Sequence, residues 1–197
     1  MLINHLKGIE VILASQSPRR KELLNSMDID FSIEVKSIDE SITDEITSDK
    51  AAEFIAAKKL SAFEDEVYYD KLVITADTVV VDADNNILGK PHNAEEAMEV
   101  LASLSGKSHI VYTGVAYKYL GKIESFTCKT DVLFCELSAE EIAYYVNKYI
   151  PLDKAGSYGI QEWIGRVGVD SIVGSFENVM GLPTSKLYHK LIEFLSK

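Results

Sequence analysis

The sequence contains little cysteine and proline and no long apolar run. Its 197 residues include 2 Cys and 4 Pro. Cys128 and Cys135 lie seven residues apart, without the clustered His or further Cys of a zinc site or a disulfide framework, so we interpret them as structural thiols. No apolar stretch approaches the roughly 20 residues that span a bilayer, and the first residues lack the pattern of a secretion signal. We therefore expect a cytoplasmic protein with no membrane partner.

Cationic residues are outnumbered, with 20 Lys and Arg against 31 Asp and Glu and a formal net charge of −11. Nucleic-acid binding depends on neutralising many phosphates, so this balance argues against a broad basic surface and against a nucleic-acid partner. A small cationic pocket is still compatible with it. The run SPRRK concentrates three cations locally, and an acidic protein with such a pocket suits a small phosphate ligand that carries a divalent cation.

Strand-like and helix-like segments alternate along the whole chain. IEVILAS predicts a strand, SPRRKELLNSM and PTSKLYHKLIEFLSK predict helices, and SIVGSFENVMGLP predicts a strand followed by a loop. The clearest helix is NAEEAMEVLASLSG, where Asn93 can cap, Glu96 follows three residues later and Gly106 ends the helix. SAEEIAYYVNKY repeats this capping pattern with Ser138 and Glu141, and both segments space apolar residues at i, i+3 and i+4. SHIVYTGVAYKYL and IESFTCKTDVLFCEL predict long antiparallel strands joined across Gly121. We found no repeat or linker, so residues 1–197 predict one α/β domain with a mixed central sheet, in two lobes with a cleft between them.

The segment LASQSPRRKELL predicts an anion site at a turn from a strand into a helix. Such a turn presents unpaired backbone N–H groups and the positive end of the helix dipole. Ser15, Ser17, Arg19 and Arg20 add hydroxyl and guanidinium donors there. The alternative is that Ser17 and Pro18 only start the helix while the arginines are solvated. Cations near a helix N-terminus are unfavourable for the helix, which favours the ligand interpretation.

Carboxylates at two places could hold a metal ion. Asp77 interrupts the apolar stretch ITADTVVV, where we expect a break at Ala76–Thr78 between two strands. It could hold a divalent ion or orient a water, with Thr78 hydrogen-bonding beside it. Glu40 lies in an acidic loop and could supply a second oxygen ligand. A turn aspartate and a solvated loop are the simpler alternatives.

Two lysines and one glutamine are further candidates for ligand binding. Lys58 lies on one possible apolar face of a predicted helix and could project towards a cleft. A second apolar face fits the spacing almost as well and leaves Lys58 in solvent. Lys90, in LGKPH, precedes a proline on a constrained turn and could hold a phosphate. Gln161, in DKAGSYGIQ, could read a base edge with its amide, while the glycines allow close backbone approach. A surface lysine and ordinary turns remain the alternatives.

Several of these segments together resemble the Maf family of nucleotide pyrophosphatases. The resemblance runs in order through LASQSPRRKELL, ITADTVV, LGKPHNAEEAMEVLASLSGKSHIVYTGV, DKAGSYGIQ and NVMGLP, which cover nearly the whole chain. It implies an elongated α/β fold with a central cleft, related to the inosine triphosphate pyrophosphatases, and often a homodimer.

The resemblance also implies roles for particular residues. Asp77 matches the family's catalytic aspartate, and Glu40, Lys58 and Lys90 match acidic and basic residues that line its site, Glu40 and Lys58 on weaker local alignment. Arg19, Thr78 and Gln161 match positions linked to substrate choice. The SPRR form together with YGIQ is similar to the subgroup that acts on dTTP and UTP.

The expected reaction is cleavage of a nucleoside triphosphate to a monophosphate and pyrophosphate, with Mg²⁺ or Mn²⁺ held by Asp77 and Glu40. Ser15, Arg20, Lys58 and Lys90 would bind the substrate, and Arg20, Lys58 and Lys90 would neutralise the charge that develops on pyrophosphate. Two alternatives remain open: modified pyrimidine nucleotides as the physiological substrates, and a non-catalytic nucleotide-binding regulator of cell division and septum formation.

Overall fold

The computed structural model describes residues 1–43 and 45–197. In this part of the chain the helices are α1 (Leu2–His5), α2 (Pro18–Asn25), α3 (Ser48–Ser61), α4 (Ala94–Leu104), α5 (Ala139–Tyr149), α6 (Trp163–Val167), α7 (Phe176–Met180) and α8 (Thr184–Leu195). The strands are β1 (Glu10–Leu13), β2 (Ser32–Ile33), β3 (Lys71–Val81), β4 (Ile87–Leu88), β5 (Ser108–Tyr119), β6 (Lys122–Phe134) and β7 (Val169–Val173). Two short 3₁₀ turns lie at Glu66–Tyr68 and Ala155–Ser157.

The strands form a mixed sheet in the order β2-β1-β3-β5-β6-β7, with β4 paired to β3. β1 is parallel to both neighbours, with Ile12 opposite Ser32 and Leu13 opposite Ile74. β4 is antiparallel to β3, and β7 is antiparallel to β6. The prediction of an α/β fold with a mixed sheet is therefore confirmed.

The chain divides into two compact units. The first unit comprises Met1–Asp77, Thr113–Cys128 and Gly181–Lys197, and the second comprises Thr78–Tyr112 and Lys129–Met180. β3, β5 and β6 each contribute residues to both units. The predicted site residues are divided between the two units.

In the first unit, α3 packs on the sheet through small and apolar residues. A buried cluster joins Ala56, Leu60 and Phe63 to strand residues that include Ile12 and Val73. The close approach depends on Gly114 of β5, because a Cβ there would lie 2.2 Å from the backbone nitrogen of Glu53 in α3. Gly114 thus allows the N-terminal half of α3 to lie against β5, while the buried cluster holds its C-terminal half against β1 and β3.

In the second unit, α4 and α5 begin at the capping residues that the sequence predicts. The Asn93 side chain accepts a hydrogen bond from the Glu96 N–H, and Ser138 and Glu141 form a complete capping box. Both helices turn an apolar face inward, as the i, i+3, i+4 spacing predicts. The buried residues are Ala97, Leu101 and Leu104 in α4, and Ile142, Tyr145 and Val146 in α5.

Two local expectations were wrong. β3 runs without a break through Ala76–Thr78, because Asp77 finds an ion-pair partner and does not need to leave the strand. In the segment after β7, where a loop was expected, Phe176–Met180 is helical, and the Ser175 hydroxyl accepts a hydrogen bond from the Asn178 N–H at its start. A single turn of this kind leaves little periodic signal in the sequence.

No helix among the described residues has the length and apolar character required to cross a membrane. Cys128 and Cys135 are not joined by a disulfide.

Candidate functional site

The turn between β1 and α2 is organised around the buried hydroxyl of Ser15. This oxygen accepts hydrogen bonds from the Ser17 N–H at 3.2 Å and from Nη1 of Arg20 at 3.3 Å. Nε of Arg20 donates to the Gly181 carbonyl oxygen at 2.9 Å. Ser17 caps α2 by accepting from the Arg20 N–H, with Pro18 at the first helical position. The turn therefore fixes one guanidinium group beside the positive end of a helix, which is the arrangement expected of an anion site.

Two carboxylates converge on one ammonium group at the end of α3. Nζ of Lys59 lies 2.6 Å from Oδ1 of Asp77 and 3.1 Å from Oε1 of Glu40. The Asp77 and Lys59 side chains retain 14% and 17% of their exposure, so this pair is largely shielded from solvent. Asp77 and Glu40, separated in sequence, are thus brought to one place in the first unit.

Arg20 belongs to the same electrostatic environment. Burial lowers the pKa of its guanidinium group, and nearby Asp77 raises that pKa in opposition. Arg19 adds a smaller lowering effect and Glu40 a smaller raising effect. Because Arg remains protonated in proteins, the consequence is a fixed cation close to the two carboxylates.

Lys59 is a residue that the sequence reasoning missed. The predicted residue, Lys58, instead places its Nζ 3.4 Å from Oδ2 of Asp39, and this pair is more exposed. The sequence is compatible with two apolar faces for α3, one that includes Lys58 and one that excludes it. The structure buries Ala52, Ile55 and Ala56, which belong to the face that excludes Lys58. The sequence does hold a signal for Lys59. It follows Lys58 directly and lies at the edge of the buried face of α3, where a long side chain can extend along apolar residues and keep its charged end outside the core.

Asp77 and Glu40 are the predicted metal ligands that the described structure brings together. The described residues contain no group of three or more His, Cys, Asp or Glu side chains that could hold a metal ion. Mg²⁺, however, is commonly bound through one or two carboxylates together with substrate phosphates and water. The oxygens of Asp77 and Glu40 fit that pattern.

In the second unit, Thr78, Lys90 and Gln161 lie on three different segments. Thr78 is half-buried in β3 directly after Asp77, and Lys90 is exposed after β4. Gln161 is half-buried, and its Oε1 atom is buried with no hydrogen-bond partner among the described residues. Such an oxygen is suited to accept a hydrogen bond from a ligand. The segment of Gln161 is tied to that of Lys90, because the Gly156 N–H donates to the Gly89 carbonyl oxygen at 3.3 Å.

A partly buried polar cluster includes Glu162, the residue that follows Gln161. Nζ of Lys154 lies 2.7 Å from Oδ1 of Asp153 and 3.3 Å from Oε1 of Glu162. Tyr145 of α5 donates its hydroxyl hydrogen to Oε2 of Glu162 and accepts from the Gly159 N–H at 3.0 Å. The sequence drew attention to DKAGSYGIQ but not to Tyr145 or Glu162, since their meeting depends on how α5 packs.

A second buried pair involves His109 of β5 and Tyr158. Nε2 of His109 is 2.7 Å from the Tyr158 hydroxyl oxygen, and both residues pack edge-on against Phe134. Burial lowers the pKa of His109 to about 4. The imidazole is therefore neutral at physiological pH.

A cavity of about 850 Å³ lies elsewhere in the first unit. It is bounded by the last turn of α3, the 3₁₀ turn at Glu66–Tyr68 and the β5–β6 turn, and its lining includes Leu60, Tyr69 and Ile123. The predicted site residues are absent from its lining. The cavity therefore adds nothing to the chemistry around Asp77.

Known proteins are similar to this chain over nearly its whole length. The dTTP/UTP pyrophosphatases of Phocaeicola vulgatus and Bacteroides thetaiotaomicron are 47% and 48% identical over 191 residues, which cover 96% of this chain and 98% of each relative. The solved structure of the Staphylococcus aureus Ham1 protein is similar over 64% of this chain and 71% of that one, at 12% identity and a TM-score of 0.47. The model of the Maf-like protein family matches residues 10–194. With that match and these identities, the chain belongs to the Maf family.

Proposed function

We propose that this protein hydrolyses dTTP and UTP to the nucleoside monophosphate and pyrophosphate, and that it acts on modified pyrimidine nucleotides in the same way. The observation that carries the proposal is the convergence of Asp77 and Glu40 on Lys59, next to the fixed guanidinium group of Arg20. Carboxylates and cations in one place suit a reaction in which a triphosphate is held and a water is activated. The names of the relatives supply the substrate.

In the proposed reaction a water oxygen bonds to the α-phosphorus, and the bond from that phosphorus to the bridging oxygen of pyrophosphate breaks. Asp77 orients the water and accepts its proton. Arg20, Lys90 and Lys59 stabilise the negative charge that develops on the departing pyrophosphate, since fixed cations at a developing charge lower the barrier. Lys58 is assigned a weaker contact with the substrate at the edge of the site, because its ammonium group pairs with Asp39.

Asp77 and Glu40 would hold a divalent cation, Mg²⁺ or Mn²⁺, that arrives with the triphosphate. When bound, such an ion supplies Lewis-acid polarisation of the phosphoryl oxygens. Lys59 keeps the two carboxylates together and limits their mutual repulsion.

Base selection is assigned to Arg19, Thr78 and Gln161. Thymine and uracil both present an imino N–H between two carbonyl oxygens. A glutamine amide can accept from that N–H and donate to a carbonyl. The buried Oε1 of Gln161, without a hydrogen-bond partner among the described residues, supports this role.

The test is product identification with purified protein, dTTP and Mg²⁺. We expect dTMP and pyrophosphate, whereas dTDP and inorganic phosphate would refute the assigned bond cleavage. Asp77→Asn should lower kcat by about 10³-fold or more, as for loss of a general base with its charge. Asp84→Asn, at an exposed turn position, is the matched control and should retain activity. Tight nucleotide binding by the unaltered protein without turnover would support a regulatory, non-catalytic role instead.

A homodimer stays a prediction that light scattering of the purified protein can test. A mass of about one chain, 21.9 kDa, at assay concentration would contradict it.

A further inference from the structure

The segment from Gly156 to Glu162 adopts a conformation that needs external support. Ser157 is fully buried and has a φ of +62°, in the left-handed region that a non-glycine residue rarely occupies. Such a residue carries a cost of about 1–3 kcal/mol and persists only where the surrounding structure enforces it. In the same segment, the position of Gly159 leaves no room for a side chain, because a Cβ there would lie 2.7 Å from Cδ of Glu162.

The support comes from Lys154 and Tyr145, which both contact the carboxylate of Glu162, the last residue of the segment. One of its oxygens receives Nζ of Lys154 at 3.3 Å, and the other accepts the hydroxyl hydrogen of Tyr145. Tyr145 is fully buried in α5, and its hydroxyl oxygen also accepts from the Gly159 N–H. Both ends of the 159–162 turn are thus attached to the same phenol group.

Burial, reinforced by the Glu162 carboxylate, raises the pKa of Tyr145 above its ordinary value. The phenol group therefore stays protonated and continues to donate at neutral pH. Lys154 is 7% exposed and pairs with Glu162 and with the more exposed Asp153, so neither buried ion of the cluster is left without a partner.

We propose that Tyr145, Lys154 and Glu162 form a positioning cluster that holds the backbone of Gln161 in place, so that the cluster controls selection of the base. Gln161 immediately precedes Glu162, and its buried Oε1 has no hydrogen-bond partner in the described part of the chain. The inference rests on the proposed function through the role given to Gln161. None of the three residues needs to touch the substrate. They act by fixing the residue that does, as supporting groups do in precise binding sites.

A purely structural role is the competing explanation. A buried ion pair adds little net stability compared with apolar residues of the same volume. We therefore interpret the Lys154–Glu162 pair as a contact that fixes one conformation of the segment. The two explanations differ in what they change. Loss of a structural contact lowers the unfolding temperature alone, whereas loss of positioning changes the preference between bases.

The experiment compares kcat and KM for dTTP and dCTP in the unaltered protein and in Tyr145→Phe. The variant removes one hydroxyl group and keeps the ring. We expect the dTTP:dCTP ratio of kcat/KM to fall about tenfold, mainly through KM for dTTP, as for loss of one well-placed hydrogen-bonding arrangement. Tyr149→Phe is the control, because this ring stacks on Tyr145 at 5.0 Å outside the cluster. It should leave the ratio unchanged.

A double variant separates positioning from other effects. In a Gln161→Ala background, Tyr145→Phe should change the ratio by less than about twofold, because coupled residues are non-additive. An unchanged ratio in folded Tyr145→Phe, or full additivity with Gln161→Ala, would overturn the inference. If Tyr145→Phe does not fold, Glu162→Gln takes its place with the same expected result.

The proposed function and this inference can fail separately. Absence of dTMP and pyrophosphate with the unaltered protein refutes the function. The ratio of Kd values for non-hydrolysable analogues of dTTP and dCTP still decides the role of the cluster in that case. A ratio that falls in Tyr145→Phe supports the cluster, and an unchanged ratio rejects it.

Discussion

Substitution of Gly114 by Ala tests how the fold positions the carboxylates and Lys59. Gly114 lies in β5, where α3 crosses the sheet at backbone contact. An added Cβ would lie 2.2 Å from the Glu53 nitrogen and 2.3 Å from both the Ala52 carbonyl carbon and the Glu53 Cα. All three atoms belong to the backbone of a regular helix, so no side chain can rotate away. The helix itself must move.

The size of the effect follows from these distances. Carbon–carbon contacts are favourable near about 3.5–4.0 Å, so α3 would have to retreat by more than about 1 Å. Overpacking of this kind costs about 1–3 kcal/mol, and we expect the upper end because the obstacle is rigid. For a chain of this length, about 3 kcal/mol lowers the unfolding temperature by roughly 6–12 °C.

The same displacement reaches the candidate site. α3 carries Lys59, whose ammonium group lies 2.6 Å from Asp77, and a misplacement near 1 Å can reduce catalysis by about 10²-fold. We therefore expect kcat/KM for dTTP to fall by about that factor in Gly114→Ala, under conditions where the variant is folded.

Denaturant unfolding, thermal unfolding and steady-state kinetics with dTTP measure both effects. Gly89→Ala is the stability control, because a Cβ there meets nothing within 4 Å. A Gly114→Ala protein with a free energy of unfolding within about 1 kcal/mol of the unaltered chain would refute the packing argument. Lost stability with unchanged kcat/KM would refute the link from α3 to the site.

Three further predictions concern the site and its surroundings. Lys59→Met should lower kcat/KM by about 10²-fold while Lys58→Met changes it less than about fivefold, since Lys59 contacts Asp77 and Glu40; the reverse ranking in steady-state assays would contradict the assignment. Excess EDTA should abolish pyrophosphate release, and added Mg²⁺ or Mn²⁺ should restore it; full activity in EDTA would remove the divalent cation from the proposal. The third prediction is a pH dependence of stability. Because the pKa of buried His109 is lowered from 6.5 to about 4, the unfolded chain binds more protons below pH 6.5, and stability falls as the pH drops from 6.5 towards 4. At pH 5 this loss should be about 2 kcal/mol, and His109→Gln should flatten that part of the curve in denaturant titrations; an identical slope in both proteins would contradict the buried neutral imidazole.

Local sequence was sufficient for most elements. Ser17 and Pro18 start α2, Asn93 starts α4, and Ser138 with Glu141 starts α5, because caps satisfy backbone groups within a few residues of themselves. The long β5–β6 pair was also predicted, because two strand-like segments follow each other in sequence with Gly121 between them. The break expected at Asp77 was wrong. The sequence does not show that Lys59 forms an ion pair with Asp77, and this ion pair allows the carboxylate to remain within β3.

The sequence by itself determined the alternation of strands and helices, the capped helix starts, the family, and the chemical types of the candidate residues. Those properties depend on contacts within a turn of chain or on ordered motifs. Tertiary structure decided that Lys59, and not Lys58, meets Asp77 and Glu40, and that Tyr145 meets Glu162 beside Gln161. Neighbouring residues on a helix point about 100° apart, so small differences in packing decide which one reaches a distant carboxylate. Only the packed structure fixes that rotation.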